Sequence, residues 1–310
     1  MKIVMNRNEF CKLDFHIRVI KKQINLSFCC NNYMLVPGIP LEDFKKNPKK
    51  YLDEFFMPFH VHDRYSGHCF RNDDDMCNRF VDVYNKKDIE VQIDVDTLTK
   101  CNAHCYHCIR MCSDSGLTIE EETELTKLIL DTLNEYDFVD IIQMTSMGDA
   151  SLYNLVDIVK HCPKSVKTFK ILSNGYNPDN LYELELNHKN IPVEMWIPLP
   201  TMKSDIYKSI YKADNYDRLM EYLNKEHKVP IIIHYIAYEE GMNEVFDIAD
   251  FCKRKNFTMA IIPDFHSKIS HKWVYELLQS GKLPRSEKVF YAIKSWKKRL
   301  RKHCSNFIKG

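Results

Sequence analysis

Between residues 89 and about 265 the hydrophobic positions alternate between two rhythms. Short apolar, β-branched-rich runs at 91–95, 138–144, 166–172, 193–197, 229–235 and 258–262 predict strands. Stretches with apolar positions three and four residues apart separate them. The first opens at Thr118, with Glu120, Glu121 and Glu122 in its first turn and Leu125, Leu128, Ile129 and Leu133 on one face. Further helices are predicted at 152–161, 178–187, 205–226 and 243–253. No antiparallel hairpin signal falls between these strands. Six βα units of this kind predict a parallel sheet, with the working residues on loops at the carboxyl ends of its strands.

The flanks read differently. Residues 15 to 28 alternate loosely around Lys21, Lys22, Gln23 and Asn25, which predicts a hairpin, and Leu41 and Lys49 begin short helical patterns on either side of Pro48. Residues 61 to 77 are polar and carry little strand or helix signal. At the other end, Trp273 begins a short helix. A longer one is predicted from Glu287 to about Phe307, with the stripe Val289, Ile293, Trp296, Leu300, Cys304 and Phe307.

Charge and cysteine content sharpen this outline. The 310 residues carry a net charge of +1, yet the last forty hold 11 Lys/Arg against 2 Asp/Glu, leaving the remainder acidic. The basic face of the terminal helix, with Lys294, Lys297, Lys298, Arg301 and Lys302, carries no alternating aromatics, which argues against nucleic-acid binding. Solvent is the first reading of this face, with an acidic partner, a leader peptide or, less favoured, a nucleic-acid backbone as the alternatives. The first residues, running from Met1 into Asn6, Arg7 and Asn8, do not read as a secretion signal. The most apolar run, at 229–238, is too short to cross a bilayer. Twelve cysteines in such a chain fit reduced thiols and metal sites in a cytoplasm better than a disulfide framework.

The densest chemistry follows the first strand of the series: Cys101-Asn-Ala-His-Cys105-Tyr-His-Cys108. Thiols at this spacing can converge on one metal centre without help from distant chain. The loop resembles the CxxxCxxC signature of the radical S-adenosylmethionine (SAM) enzymes, with His107 in place of the aromatic residue that precedes their third cysteine. The resemblance implies a partial (β/α)6 TIM-like barrel and a [4Fe-4S] cluster on Cys101, Cys105 and Cys108, the catalytic thiolates, with one iron open to SAM. It also implies the reaction. One electron cleaves SAM, and the resulting 5′-deoxyadenosyl radical abstracts hydrogen from a substrate.

The resemblance continues along the barrel. Gly148 and Asp149, after the second strand, look like the Gly-Glu-Pro motif that receives the amino group of SAM, with Asp149 in the place of the glutamate. Ser173-Asn174-Gly175 is similar to the family's Thr-Asn-Gly turn. Glu194, Trp196, His234 and Ile262 occupy positions where the family touches the SAM carboxylate, ribose or adenine. Each also has a packing account: Glu194 at a mouth, Trp196 as core and His234 as a hydrogen-bonded core histidine. Asn243 and Glu244 read as a helix cap and first-turn acid, Cys112 as a loop residue with a substrate-side hydrogen donor as the alternative, and Cys162 and Cys252 as packing.

Residues 1–88 resemble the SPASM/Twitch auxiliary-cluster module, through Cys11 before the hairpin, Cys29-Cys30 after it, and Cys69 and Cys77 after Gly67. In that family the module follows the barrel; here it precedes it. The resemblance implies a second [4Fe-4S] cluster held by Cys11, Cys29 or Cys30, Cys69 and Cys77. A structural zinc that recruits His60, His62 or His68, and plain burial of the thiols, stay open. The expected organisation is an auxiliary-cluster domain at 1–88, a radical SAM core at 89–265 and a helical extension at 266–310. The implied substrate is a peptide or protein, with a sugar, nucleoside or aminocyclitol as the alternative, and the implied partner is a low-potential electron donor such as flavodoxin or ferredoxin. A non-catalytic zinc or iron–sulfur protein is the reading from another class.

Overall fold

The computed structural model describes residues 13–20, 23–27, 39–47, 91–95, 101–105, 108, 118–134, 139–144, 148–188, 191–264, 267–280, 282 and 289–291. Cys11, Cys29, Cys30, Cys69, Cys77, His107 and Cys112 lie outside these residues.

The predicted alternation appears as β4 (Val91–Val95), then α2 (Ile119–Asn134), β5 (Val139–Met144), α3 (Leu155–His161), β6 (Val166–Leu172), α4 (Pro178–Asn187) and β7 (Val193–Pro198). It continues through α5 (Ser204–Tyr211), α6 (Tyr216–Asn224), β8 (Ile231–Ala237), α7 (Val245–Lys255), β9 (Thr258–Pro263) and α8 (Lys268–Gln279). Ahead of it lie β1 (Leu13–Ile20), β2 (Gln23–Ser27), β3 (Ile39–Pro40) and α1 (Leu41–Lys46), and β10 (Val289–Tyr291) comes last. Among the described residues the strands form one sheet in the order β10-β9-β8-β7-β6-β5-β4-β1-β2-β3. Strands β4 to β10 are parallel throughout, so each connection is a crossover carrying helix.

The hairpin at 15 to 28 forms, with His16 opposite Ser27 and Ile20 opposite Gln23. Strand β1 also pairs in parallel with β4, Phe15 beside Ile93, so hairpin and barrel strands share one sheet. An open partial barrel exposes unpaired backbone groups along its outer strand, and β1 satisfies those of β4.

Two expectations are corrected. The terminal segment is not helical from its start. Residues Val289 to Tyr291 form β10, pairing with Met259 to Ile261, and the rest of the expected basic helix lies outside the described residues. Apolar spacing had suggested helix, but Val-Phe-Tyr favours strand and the free edge of β9 offers backbone partners. The helix expected at 205–226 is two, α5 and α6, broken where Lys212 adopts a left-handed φ of 50°.

Elsewhere local signals act as read. Thr118 and Glu121 form a reciprocal capping box at the head of α2, each side chain accepting from the other's backbone N–H at 3.2 and 2.9 Å. Pro178 starts α4, with Asn177 capping the N–H of Asn180. The sheet has two unlike faces. Phe169, Ile171, Met195, Ile197, Ile233, Tyr235, Met259 and Ile261 are fully buried in one core with Leu181, Leu184, Leu219, Val245 and Ile248 of the helices. Each such aliphatic side chain contributes roughly 1.5–3 kcal/mol. The opposite face of β6 to β9 carries half-buried Lys170, Leu172, Glu194, Trp196, His234 and Ile262. Cys162 and Cys252 are buried, and burial pushes both thiols up to about 12. No helix among the described residues is long and apolar enough to cross a membrane.

Candidate functional site

The loops that follow β4, β5, β6 and β7 meet at the carboxyl edge of the sheet, and polar side chains join them. After β5, Asp149 is buried, and its carboxylate accepts four hydrogen bonds. Oδ1 takes the backbone N–H of Ser151 at 2.9 Å and the hydroxyls of Ser151 at 2.5 Å and Ser173 at 2.8 Å. Oδ2 takes the backbone N–H of Asn174 at 2.6 Å. Burial raises its carboxyl above the usual range, and these donors oppose that rise. The carboxylate therefore fastens the loop after β5 to the loop after β6. Gly148 beside it is half-buried.

Asn174 carries the link on to the cysteine loop. Its amide Nδ2 donates to Asn102 Oδ1 at 2.9 Å, and its backbone carbonyl accepts from Asn215 Nδ2 at 3.1 Å. Asn215 Oδ1 in turn accepts from Asn102 Nδ2 at 3.5 Å. Three amides thus join the cysteine loop, the β6 loop and the head of α6. Gly175 follows at φ 74°, a turn conformation that glycine tolerates, and an added Cβ would lie 2.6 Å from Leu219 Cδ1.

The cysteine loop rests on α5. The N–H of His104 donates to the carbonyl of Tyr211 at 2.9 Å, and Cys101 and Cys105 pack against the core. Cys101 Sγ accepts from Ala103 N at 3.4 Å, and the N–H of Cys108 closes a turn onto the carbonyl of Cys105 at 2.9 Å. Cys101 and Cys105 are half-buried, Cys108 is exposed, and none is in a disulfide. Among the described residues no three His, Cys, Asp or Glu side chains are drawn together tightly enough to grip a metal ion. The donor chemistry nevertheless suits an iron–sulfur cluster: three soft thiols on one short loop, bonded through His104 to Tyr211, whose buried hydroxyl has no hydrogen-bond partner among the described residues. A cleft of about 450 Å³ opens beside Cys101, lined by Asn102, His104, Tyr176, Lys212 and Arg218.

The remaining expected residues gather on the half-buried face of the sheet. Lys170 Nζ sits 3.7 Å from the centre of the Trp196 ring, a cation–π contact. Trp196 Nε1 donates to Glu194 Oε2 at 3.2 Å, and the His234 ring meets Trp196 edge-on with centroids 5.9 Å apart. His234 Nε2 is enclosed with no hydrogen-bond partner among the described residues. Burial, aided by the Lys170 cation, lowers its pKa to about 3, so the imidazole is neutral near pH 7. Ile262 lies on the same face, beside Ile236 of β8.

Glu244 does not cap α7 with its side chain. It reaches back to the β7 loop, where Oε2 accepts from the hydroxyl of Thr201 at 2.8 Å and the N–H of Met202 at 2.7 Å, while Lys203 Nζ lies 3.3 Å from Oε1. Asn102, Ser151, Lys170, Asn215 and Tyr211 were not singled out in the sequence. Only Asn102, directly after Cys101, carried a local hint; the others meet the site through contacts across the fold.

The site thus consists of a parallel sheet of βα units with a three-thiol loop after the first strand of the series. No family model matches the chain, and no curated protein matches it either. Among solved structures, SuiB from Streptococcus suis bound to S-adenosylmethionine is 10% identical, with 90% of this chain and 71% of that chain covered at a TM-score of 0.51. A second SuiB structure gives 11% identity, coverage of 90% and 70%, and the same TM-score of 0.51. An anSMEcpe structure with bound AdoMet is 14% identical at a TM-score of 0.46, over 61% of this chain, which spans 59% of that protein's length. At these identities the likeness to SuiB is one of fold.

Proposed function

We propose that the chain is a radical SAM enzyme, with a [4Fe-4S] cluster on Cys101, Cys105 and Cys108 and SAM held against the loops after β5 and β6. One observation carries the reading: the three-thiol loop stands at the carboxyl end of β4, where a barrel of this kind keeps its chemistry. The likeness in fold to SuiB, a protein crystallised with SAM, supports it. When bound, such a cluster supplies the electron that cleaves SAM reductively, drawn from a low-potential donor such as flavodoxin or ferredoxin.

The chain's own share is positioning. Asn102 and the Tyr211 carbonyl hold the thiol loop against α5 and β6. Asp149 has both oxygens occupied, so its part is to shape the loop after β5. Accepting the ammonium of SAM falls to the backbone at Gly148. Glu194, Trp196 and neutral His234 form a polar strip for the ribose or carboxylate, with Ile262 against the adenine. Ser173 and Asn174 keep the turn beneath it. The auxiliary-module resemblance of residues 1–88 puts the substrate among peptides or proteins, attacked at a side chain or alpha carbon, and adds a second cluster on Cys11, Cys29 or Cys30, Cys69 and Cys77.

Anaerobic reconstitution with iron and sulfide, reduction in the presence of SAM, and assay for 5′-deoxyadenosine test the reading. A protein that holds its cluster on Cys101, Cys105 and Cys108 yet forms none refutes it. In the protein with all three cysteines changed to alanine, roughly four irons left per chain support the auxiliary cluster, and none rules it out.

A further inference from the structure

Tyr211 is 4% exposed, and its hydroxyl is enclosed with no hydrogen-bond partner among the described residues. A buried hydroxyl without a partner is unfavourable, and native structures keep few of them. Two neighbouring tyrosines do not share the problem. Tyr207, one helical turn earlier, reaches the carbonyl of Asn174 with its hydroxyl at 3.4 Å, and Tyr216 Oη donates to the carbonyl of Met202. The three rings pack together, Tyr207 lying 4.6 Å from Tyr211 and 5.3 Å from Tyr216 between centroids.

The residue that carries the orphaned hydroxyl is tied to the thiol loop through its backbone. The Tyr211 carbonyl takes the N–H of His104, the residue directly before Cys105, so the end of α5 lies against the thiol loop. A tyrosine hydroxyl ionises only at about pH 10, so that of Tyr211 is protonated and able to donate at neutral pH.

We propose that Tyr211 donates a hydrogen bond to the sulfur of the cluster on Cys105, as a residue that tunes and retains the cluster. The inference rests on the cluster assignment above. A hydrogen bond to cluster sulfur stabilises the more negative, reduced state and raises its potential.

Tyr211→Phe removes the hydroxyl and keeps the ring. In the metal-free protein the variant is expected to melt no lower than wild type, because no existing bond is lost. In the anaerobically reconstituted full chain it should hold the same iron and sulfide. Its reduced-to-oxidised ratio at fixed potential should fall roughly tenfold, about 59 mV for one electron, and it should lose iron to a chelator faster. Tyr207→Phe, whose hydroxyl is already spent, should leave the potential unchanged.

Equal midpoints in wild type and Tyr211→Phe overturn the inference while leaving the cluster assignment intact. So does an equal shift in Tyr207→Phe, or a metal-free Tyr211→Phe protein that is less stable or does not fold, since the hydroxyl would then serve the fold. A wild-type protein that takes up no iron on Cys101, Cys105 and Cys108 overturns the assignment and this inference together.

Discussion

Replacing Asp149 by asparagine separates a cofactor-binding carboxylate from one that builds the loop. In the structure Oδ1 accepts from Ser151 N, Ser151 Oγ and Ser173 Oγ, and Oδ2 from Asn174 N. An asparagine must put its NH₂ at one of these places. At Oδ2 it faces the N–H of Asn174, and at Oδ1 it faces the N–H of Ser151, so either orientation leaves a buried backbone donor unpaired. That costs about 1–3 kcal/mol, and the surviving bonds lose their charge assistance. An opposing effect limits the loss. Burial raises the Asp149 carboxyl even against four donors, so a neutral side chain recovers part of the desolvation. The expected net loss is about 2 kcal/mol, with Asp149→Ala losing more because no acceptor remains. Urea denaturation of the metal-free protein under reducing conditions, read as a midpoint shift at unchanged slope, measures it. If Asp149 were held ready for an ammonium, the apo protein would not notice the change. A metal-free Asp149→Asn protein within about 0.5 kcal/mol of wild type, the ordinary scale of a neutral substitution, would refute this reasoning.

Three further predictions follow from local geometry. Gly175→Ala should destabilise by about 1–3 kcal/mol in the same assay, because φ is 74° and the new Cβ would press on Leu219 Cδ1 at 2.6 Å. Glu185→Gln should cost about 2–4 kcal/mol, since this fully buried carboxylate takes the hydroxyl of Tyr222 at 2.5 Å, His227 Nδ1 at 2.9 Å and the N–H of Lys228 at 3.0 Å; unchanged stability would contradict the buried geometry. His234 gives a pH signature. Its folded pKa, about 3, lies below the ordinary 6.5, so the unfolded chain binds the extra proton between them. The stability tied to neutral His234 is complete above pH 6.5 and lost on acidification towards pH 3, at up to roughly 1.4 kcal/mol per pH unit. Between pH 7 and 5, His234→Gln should lose less stability than wild type; equal losses would show the imidazole free to protonate in the fold.

The parallel sheet was legible because its signal is local. Each strand from β4 to β9 is an apolar run, and boundaries moved by a few residues at most: the run expected from Val229 begins at Ile231, after Pro230, which has no N–H to give the ladder. The failures have the opposite character. The break between α5 and α6 turns on a lysine in a left-handed conformation, which no composition announces. Strand β10 depends on a partner strand already in place, and a three-residue segment inside an apolar stripe carries no such information. Asp149 was found as a residue but not as a geometry. Its resemblance to the glutamate of a Gly-Glu-Pro motif suggested an acceptor at the site, and only the folded loops reveal Ser151, Ser173 and Asn174 as the donors bonded to it.

The distribution of buried polar groups explains why the thiol loop needs such partners. The core beneath it is held by non-directional apolar burial, which fixes volume well and loop orientation poorly. At the carboxyl edge the fold instead buries Asp149, Asn174, Asn215 and Glu244, each bonded to backbone or side chain of a different loop. Groups of this kind add little net stability compared with apolar replacements, because desolvation offsets most of their attraction. They do fix distances and angles, since a misplaced loop would strand a buried donor or acceptor. The cysteine loop contributes its own member, Asn102, to that network, through Asn174 and Asn215. Apolar packing therefore accounts for the barrel, while the amide and carboxylate links set where Cys101 and Cys105 stand relative to the turn after β6.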